Sequence, residues 1–178
     1  MNFLVFIVCL VFSYLLGSIQ GSYISSRYIY NDKKVVSEWQ EYKTIHTFNK
    51  ERISVIIIDG VKILIPTLFL FLSAPLFSLE PRFAALLGGG SATLGHMYPF
   101  FRLGKGEAME AFMITALFVS LPSALISILI FCALFVVFGR KTIPFVVSVF
   151  AFPVVLIIFF RPTFEVGILS ILYSILIF

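Results

Sequence analysis

The longest apolar stretch of the chain decides its fold, and it runs from Ala108 to Phe138 as AMEAFMITALFVSLPSALISILIFCALFVVF. As a single helix it would measure about 46 Å at about 1.5 Å per residue, well beyond a hydrocarbon core of about 30 Å. Pro122 divides the stretch, because a proline inside a helix breaks or kinks it. We therefore expect two short membrane spans here, over about residues 105–121 and 123–138.

The composition is that of a membrane-embedded chain. Of 178 residues, 60% are hydrophobic and 12% are charged, and the mean hydropathy is +1.07. Soluble domains are about half apolar and about a quarter charged, and a protein this small cannot bury so much apolar surface away from water. A soluble enzyme, a disordered chain and a nucleic-acid-binding module are therefore excluded. Membrane topology explains the net charge of +4 better than nucleic-acid binding does.

Further apolar segments are separated by basic or proline-containing turns. The first, from Met1 to about Ile24, has neither a preceding positive charge nor a small-residue cleavage site, so we expect a retained span and not a cleaved signal. A polar segment over Arg27–Arg52 follows it. The remaining spans are expected at Ile53–Phe77, Arg82–Phe101, Ile143–Phe160 and Thr163–Phe178.

The positive charges predict the orientation, because cytoplasmic segments of membrane proteins are enriched in Lys and Arg. With seven spans and the N-terminus outside, ten basic residues are cytoplasmic and two lie in outer turns, whereas one long helix over residues 108–138 gives nine against three. We therefore expect a single all-α integral membrane domain over residues 1–178, with seven transmembrane helices and the C-terminus cytoplasmic. The ten basic residues that this arrangement places in the cytoplasm are Arg27, Lys33, Lys34, Lys43, Lys50, Arg52, Arg102, Lys105, Arg140 and Lys141.

Two charged residues interrupt the second span. Asp59 and Lys62 lie at positions i and i+3, on one face of the helix. Ionisable residues are costly in lipid and normally face the protein interior. One interpretation is an ion pair that holds the helices together, with Lys62 near enough to the interface to extend toward water. The other is that the pair organises the cytoplasmic mouth of a site.

Small residues fill the third span, which reads GGGSATLG over residues 88–95. Neither Walker nor Rossmann spacing follows these glycines, so a phosphate loop is not expected. Inside a membrane helix, small residues allow neighbouring helices to approach closely. The stretch therefore predicts helix packing.

A phosphate site is one interpretation of the turn that follows. Gly104–Lys105–Gly106 precedes the expected fourth span, and there glycines permit close backbone approach, Lys105 offers a positive charge and the helix N-terminus favours anions. A plain basic membrane turn is the alternative. It is favoured by Glu107 and Glu110, whose carboxylates compete for the same positive field.

His96 is the candidate for acid–base chemistry, either as a general base or as an interior hydrogen-bonding residue. No HExxH motif, no Ser-His-Asp order and no ligand cluster is present in the sequence, and Cys9 and Cys132 are too few for a zinc site. We therefore expect no metal, no other cofactor and no covalent nucleophile.

Four segments together are similar to those of a known family. They are Tyr14-Leu-Leu-Gly-Ser-Ile19 with Gly21, Asp59-x-x-Lys62 before Ile65-Pro66, Gly95-His-Met-Tyr-Pro99, and Gly104-Lys-Gly106. They resemble the bacterial acyl-phosphate:glycerol-3-phosphate acyltransferases. This resemblance implies a multi-pass enzyme of the cytoplasmic (inner) membrane in phospholipid synthesis. It implies acyl transfer from acyl phosphate to the 1-hydroxyl of glycerol 3-phosphate, with membrane lipid and these two small molecules as partners.

The family's site has three cytoplasmic motifs, and the chain departs from two of them. The first, a Gly-Ser-Gly-Asn loop, keeps only its serine, as Ser37. The second persists as Leu103-Gly-Lys-Gly-Glu-Ala-Met109, and the third, a polar tail after the last span, is not reached before Phe178. From the residue patterns above and the resemblance together, we expect catalytic roles for Ser37 and His96, substrate binding by Gly104, Lys105 and Gly106, and a scaffold role for Asp59 and Lys62.

The altered first motif leaves an alternative to a divergent acyltransferase, which is a non-catalytic membrane binding or assembly protein on the same scaffold. Ser37-x-x-Gln40 has the pattern of a capping box, and Trp39 and Tyr42 lie at helical spacing. We expect a short helix from about Glu38 to Phe48 along the cytoplasmic surface. Without an amide-lined loop, the substrate phosphate would depend on Lys105 and nearby basic side chains.

Overall fold

The structure is a computed structural model that describes residues 3–25, 28, 50–100 and 108–177. Within these ranges all regular secondary structure is helical, so the prediction of an all-α chain is confirmed for this part of the molecule. The helices are α1 (Phe3–Ser18), α2 (Gly21–Ile24), α3 (Lys50–Ser73), a 3₁₀ helix (Ala74–Phe77), α4 (Pro81–Met97), α5 (Ala108–Val119), α6 (Leu121–Phe138), α7 (Thr142–Phe160) and α8 (Phe164–Leu176).

The long apolar stretch is divided between α5 and α6, as its length and its proline predict. Ser120 has an extended backbone, with φ −161° and ψ 101°, and its hydroxyl oxygen accepts a hydrogen bond from the Ser123 amide at 3.4 Å. Pro122 follows within the first turn of α6, where a missing N–H costs nothing. A serine N-cap and a proline therefore separate the two helices.

The first span corrects the expectation of an unbroken segment from Met1 to Ile24. The helix α1 ends at Ser18, Gln20 is extended with φ −89° and ψ 126°, and the helix resumes as α2 at Gly21. Sequence patterning misses this break because neither Ile19 nor Gln20 strongly disfavours a helix. The break depends on contacts with α3, which is distant in sequence.

Helix α4 lies at the centre of the bundle and contacts α1, α3, α5 and α8. Its small residues face different neighbours: a Cβ at Gly88 would lie 2.8 Å from the Pro66 carbonyl oxygen of α3, and one at Gly89 would overlap the Thr115 side chain of α5. Gly95 and Ala92 lie against the backbone of α1. The prediction that this stretch serves helix packing is confirmed.

The helices α5 to α8 pack through larger side chains. The rings of Phe112 and Phe152 meet edge to face with centroids 5.6 Å apart, and Phe112 stacks on Tyr173 at 6.0 Å. Large apolar side chains also cover the outside of the bundle, with Val136 84% exposed and Phe159 70% exposed. Such a surface requires lipid as its solvent.

Three helical segments of the described chain are long and apolar enough to cross a membrane, namely Ile53–Phe77, Leu121–Phe138 and Thr142–Phe160. Phe3–Ser18 and Phe164–Leu176 are apolar but shorter. At one edge of the bundle, the Thr163 hydroxyl donates a hydrogen bond to the Glu80 carboxylate and so joins the start of α8 to the start of α4. The molecule is thus a helical bundle with an apolar exterior.

Candidate active site

A buried ion pair forms the centre of the candidate site. Asp59 and Lys62 lie one turn apart on α3, with the Lys62 ammonium nitrogen 2.7 Å from Asp59 Oδ1. Lys62 is 6% exposed, and the Asp59 side chain is 12% exposed. Taking two charges out of water is costly unless further hydrogen bonds complete their coordination. Both residues therefore need additional polar partners.

Two such partners are backbone groups at the break in the first span. Lys62 Nζ donates to the Ile19 carbonyl oxygen at 2.5 Å, and the Gly21 amide donates to Asp59 Oδ1 at 3.0 Å. A helix end inside a membrane leaves backbone groups without partners, and these must be satisfied within the protein. The ion pair therefore caps both sides of the break between α1 and α2.

Gly21 makes this arrangement possible because it has no side chain. A Cβ at this position would lie 2.7 Å from Asp59 Oδ1, inside van der Waals contact. Just beyond it, the hydroxyls of Ser25 and Ser54 form a hydrogen bond at 2.6 Å between the end of the first span and α3. The close approach of Gly21 to Asp59 and the hydrogen bond between Ser25 and Ser54 both fix the end of the first span against α3.

His96 joins the same cluster from the last turn of α4. The residue is 3% exposed, and its Nδ1 lies 4.0 Å from Asp59 Oδ1. A single carboxylate oxygen thus has the Lys62 ammonium, the Gly21 amide and the His96 ring around it. Three of the residues predicted from the sequence, Asp59, Lys62 and His96, are brought together from two helices.

Sequence reasoning did not predict the contact between Tyr14 and Tyr98, which joins α1 to the end of α4. The Tyr14 hydroxyl donates a hydrogen bond to the Tyr98 carbonyl oxygen at 2.8 Å, across 84 positions of sequence. The expected third span to Phe101 is also too long, because α4 ends at Met97. Pro99 has no N–H to continue the helix, and its position two residues after Met97 was the available signal.

The other predicted site residues lie outside the described part of the chain. These are Ser37 of the first motif and Gly104, Lys105 and Gly106 of the second, together with the helix expected from Glu38 to Phe48. Among the residues that the structure describes, no group of three or more His, Cys, Asp and Glu side chains could hold a metal ion.

The cluster contains groups that suit proton transfer. An imidazole beside a carboxylate can accept a proton and be stabilised as the cation. These groups lie where α1 and α4 end, next to the chain that leads to Lys105. The fold and this cluster define an all-helical membrane protein with buried polar chemistry near one end of its bundle.

The sequence matches the glycerol-3-phosphate acyltransferase family over residues 7–178. Because the match spans nearly the whole chain, the protein belongs to this family. Comparison with proteins of curated function gives no match.

Two solved structures have a similar fold. One is a crystal structure of PlsY, an integral membrane glycerol 3-phosphate acyltransferase, in its glycerol 3-phosphate form, with a TM-score of 0.71. The other is the lysophosphatidic acid form, with a TM-score of 0.72. Each is 20% identical in sequence, and each alignment covers 97% of this chain and 86% of the PlsY chain. This chain therefore shares the helical fold of these two structures.

Proposed function

We propose that this protein transfers an acyl group from acyl phosphate to glycerol 3-phosphate and so produces a lysophosphatidate. The observation that carries the proposal is the meeting of His96 with the Asp59–Lys62 ion pair, in a chain that belongs to the acyltransferase family. A structural ion pair alone would not need a buried histidine at the same carboxylate. The cluster supplies an imidazole that can act as a base beside a carboxylate.

The proposed reaction is a direct acyl transfer. The 1-hydroxyl oxygen of glycerol 3-phosphate attacks the acyl carbonyl carbon, and the new ester bond forms as the bond from that carbon to the phosphate oxygen breaks. Inorganic phosphate leaves with the electron pair. His96 accepts the hydroxyl proton, and the Asp59 carboxylate stabilises the imidazolium that results.

The remaining predicted residues take binding roles in this proposal. Lys105 attracts the substrate phosphate, and Gly104 and Gly106 let the backbone approach it. Ser37 contributes a hydroxyl to the reacting groups, in keeping with its place on the family's first motif. Asp59 and Lys62 serve as scaffold, since both are engaged with the backbone at the break in the first span.

The proposal includes the topology predicted from the charges. We propose a single domain with seven spans in a bacterial-type cytoplasmic membrane, the N-terminus outside and the C-terminus in the cytoplasm. The exposed Arg140 in the turn between α6 and α7 and the second motif then lie on the cytoplasmic side. Soluble glycerol 3-phosphate would enter from the cytoplasm, and the acyl donor and product would partition into the lipid.

The test is turnover by the purified full-length protein in lipid vesicles, with acyl phosphate and radiolabelled glycerol 3-phosphate. We expect lysophosphatidate from the wild type and at least about a tenfold lower kcat/KM for Lys105→Ala, since one charge-assisted phosphate contact contributes about 1.5–3 kcal/mol. Arg140→Ala is the matched control, because it removes an exposed basic side chain from another turn and should retain wild-type turnover.

Two outcomes would reject the proposal. One is a wild type without turnover, and the other is equal turnover by the wild type and Lys105→Ala. If the wild type shows no turnover, thermal unfolding with and without each substrate tests the remaining alternative. A non-catalytic membrane binding or assembly protein should show no shift in Tm with either substrate.

A further inference from the structure

Tyr14 contacts α4 at two places, one before and one after His96. Its hydroxyl donates to the Tyr98 carbonyl oxygen at 2.8 Å, two residues after the histidine. Its own carbonyl oxygen lies against Gly95, one residue before the histidine, where any Cβ would overlap it. A single side chain and its backbone thus enclose the turn of α4 that carries His96.

Helix α4 ends within the turn that Tyr14 contacts. The Tyr98 amide donates a helical hydrogen bond to the Leu94 carbonyl oxygen at 2.8 Å, and the backbone at Tyr98 leaves the helix with φ −125° and ψ 70°. Pro99 has no N–H to offer the Gly95 carbonyl. The Tyr14 hydroxyl thus contacts the chain at the residue where it leaves the helix.

Tyr14 itself is held firmly in α1. The Ser18 hydroxyl donates to the Tyr14 carbonyl oxygen at 2.9 Å. One turn further along, Gly17 lies so close to α4 that a Cβ would overlap the Ala92 carbonyl oxygen. With α1 and α4 in backbone contact at Tyr14 and at Gly17, the Tyr14 backbone cannot shift without moving the helix.

We propose that Tyr14 is a positioning residue, which fixes the last turn of α4 so that the His96 ring stays beside Asp59. The inference rests on the proposed function, because it gives His96 the role of general base. Tyr14 does not touch the reacting atoms and acts only through His96. Catalytic groups need placement within a fraction of an ångström, and a shift of about 1 Å can cost about a hundredfold in rate.

The kinetic test compares two Tyr→Phe variants that each remove one hydroxyl bound to α4. Tyr14→Phe removes the bond to Tyr98, and Tyr173→Phe removes the 2.9 Å bond to Thr93 in the middle of the same helix. We expect kcat to fall about five- to twentyfold in Tyr14→Phe, with KM for glycerol 3-phosphate within about twofold of the wild type. Tyr173→Phe should retain the wild-type kcat and KM.

A general loss of stability predicts the opposite pattern, in which both variants lower Tm and neither changes kcat per folded molecule. An unchanged kcat in Tyr14→Phe, or equal losses in the two variants, would overturn the positioning role.

A second readout needs no turnover. The chain has two histidines, so the imidazole signals of ¹⁵N-histidine-labelled protein in lipid can be assigned with a His46→Gln variant. We expect Tyr14→Phe to shift the His96 signals and leave those of His46 in place, whereas Tyr173→Phe should shift neither. Unchanged His96 signals in Tyr14→Phe would reject the inference even in an active enzyme. A shifted signal in an inactive wild-type background would support the positioning role and reject only the proposed reaction.

Discussion

The two halves of the bundle hold together in different ways. Helices α1, α3 and α4 meet through backbone contacts at glycines and through charged or polar side chains that reach from one helix to another. Helices α5 to α8 meet mainly through large apolar side chains such as Phe112 and Phe152. Several hydroxyls in that second half bond back to their own helix, as Ser127 does to Ser123 and Thr115 to Ala111.

The two kinds of contact differ in how narrowly they fix the position of a helix. Apolar packing is non-directional, so α5 to α8 can adjust slightly without a large loss of free energy. Hydrogen bonds and backbone contacts have narrow geometric limits. The described residues of the candidate site, Asp59, Lys62 and His96, lie in the half that uses directional contacts, which is where a fixed placement of His96 is needed. Substitutions in the two halves should therefore have effects of different size.

The largest effect is expected for Lys62→Met. This change leaves the buried Asp59 carboxylate without its cation and the Ile19 carbonyl without its donor. Removing one partner of a buried ion pair costs about 3–5 kcal/mol. We expect a loss of this size in the free energy of unfolding, measured by chemical denaturation in detergent.

Arg140→Met is the control for Lys62→Met, because it removes a basic side chain from an exposed turn and should change stability by less than about 0.5 kcal/mol. If Lys62→Met is as stable as Arg140→Met, the ion pair does not hold the break between α1 and α2.

A smaller loss is expected for Gly95→Ala, which tests the backbone contact between α1 and α4. The added methyl would overlap the Tyr14 carbonyl oxygen, so the helices must separate. Overpacking of this kind costs about 1–3 kcal/mol. Gly90→Ala adds the same methyl on the same helix, where its nearest neighbour is the Tyr173 ring at 3.7 Å. That variant should be neutral or more stable, because alanine favours a helix by about 1 kcal/mol over glycine. Thermal unfolding of the pair distinguishes them, and equal Tm values would contradict the close approach.

The smallest effect is expected in the apolar half, for Ser120→Ala. The change removes the N-cap of α6, which contributes about 1 kcal/mol. Ser127→Ala removes a hydroxyl that, among the described residues, donates to the Ser123 carbonyl oxygen within α6. We expect this change to leave the free energy of unfolding nearly unchanged. The stability losses of the two variants are compared through their denaturation midpoints. A Ser120→Ala protein as stable as Ser127→Ala would mean that Pro122 alone separates α5 from α6.

Much of the fold and part of the candidate site could be predicted from local sequence. The apolar runs, the division before Pro122, the helical face shared by Asp59 and Lys62 and the small residues of α4 all follow from spacing and residue type, and each agrees with the described part of the chain. The motif around His96 also led to the right family. The predictions for Ser37 and Lys105 remain predictions, since both residues lie outside the described ranges.

What the sequence determined by itself is therefore the membrane character of the chain, its helices and the pairing of charges one turn apart, because each depends on residues close together along one helix. Only the tertiary structure decided that the first span breaks at Gln20, that Lys62 and Asp59 cap that break, and that Tyr14 reaches Tyr98. These features depend on which helices become neighbours. A backbone group released by a break can persist in a membrane only if the folded bundle brings it a partner, and that partner comes from a distant part of the chain.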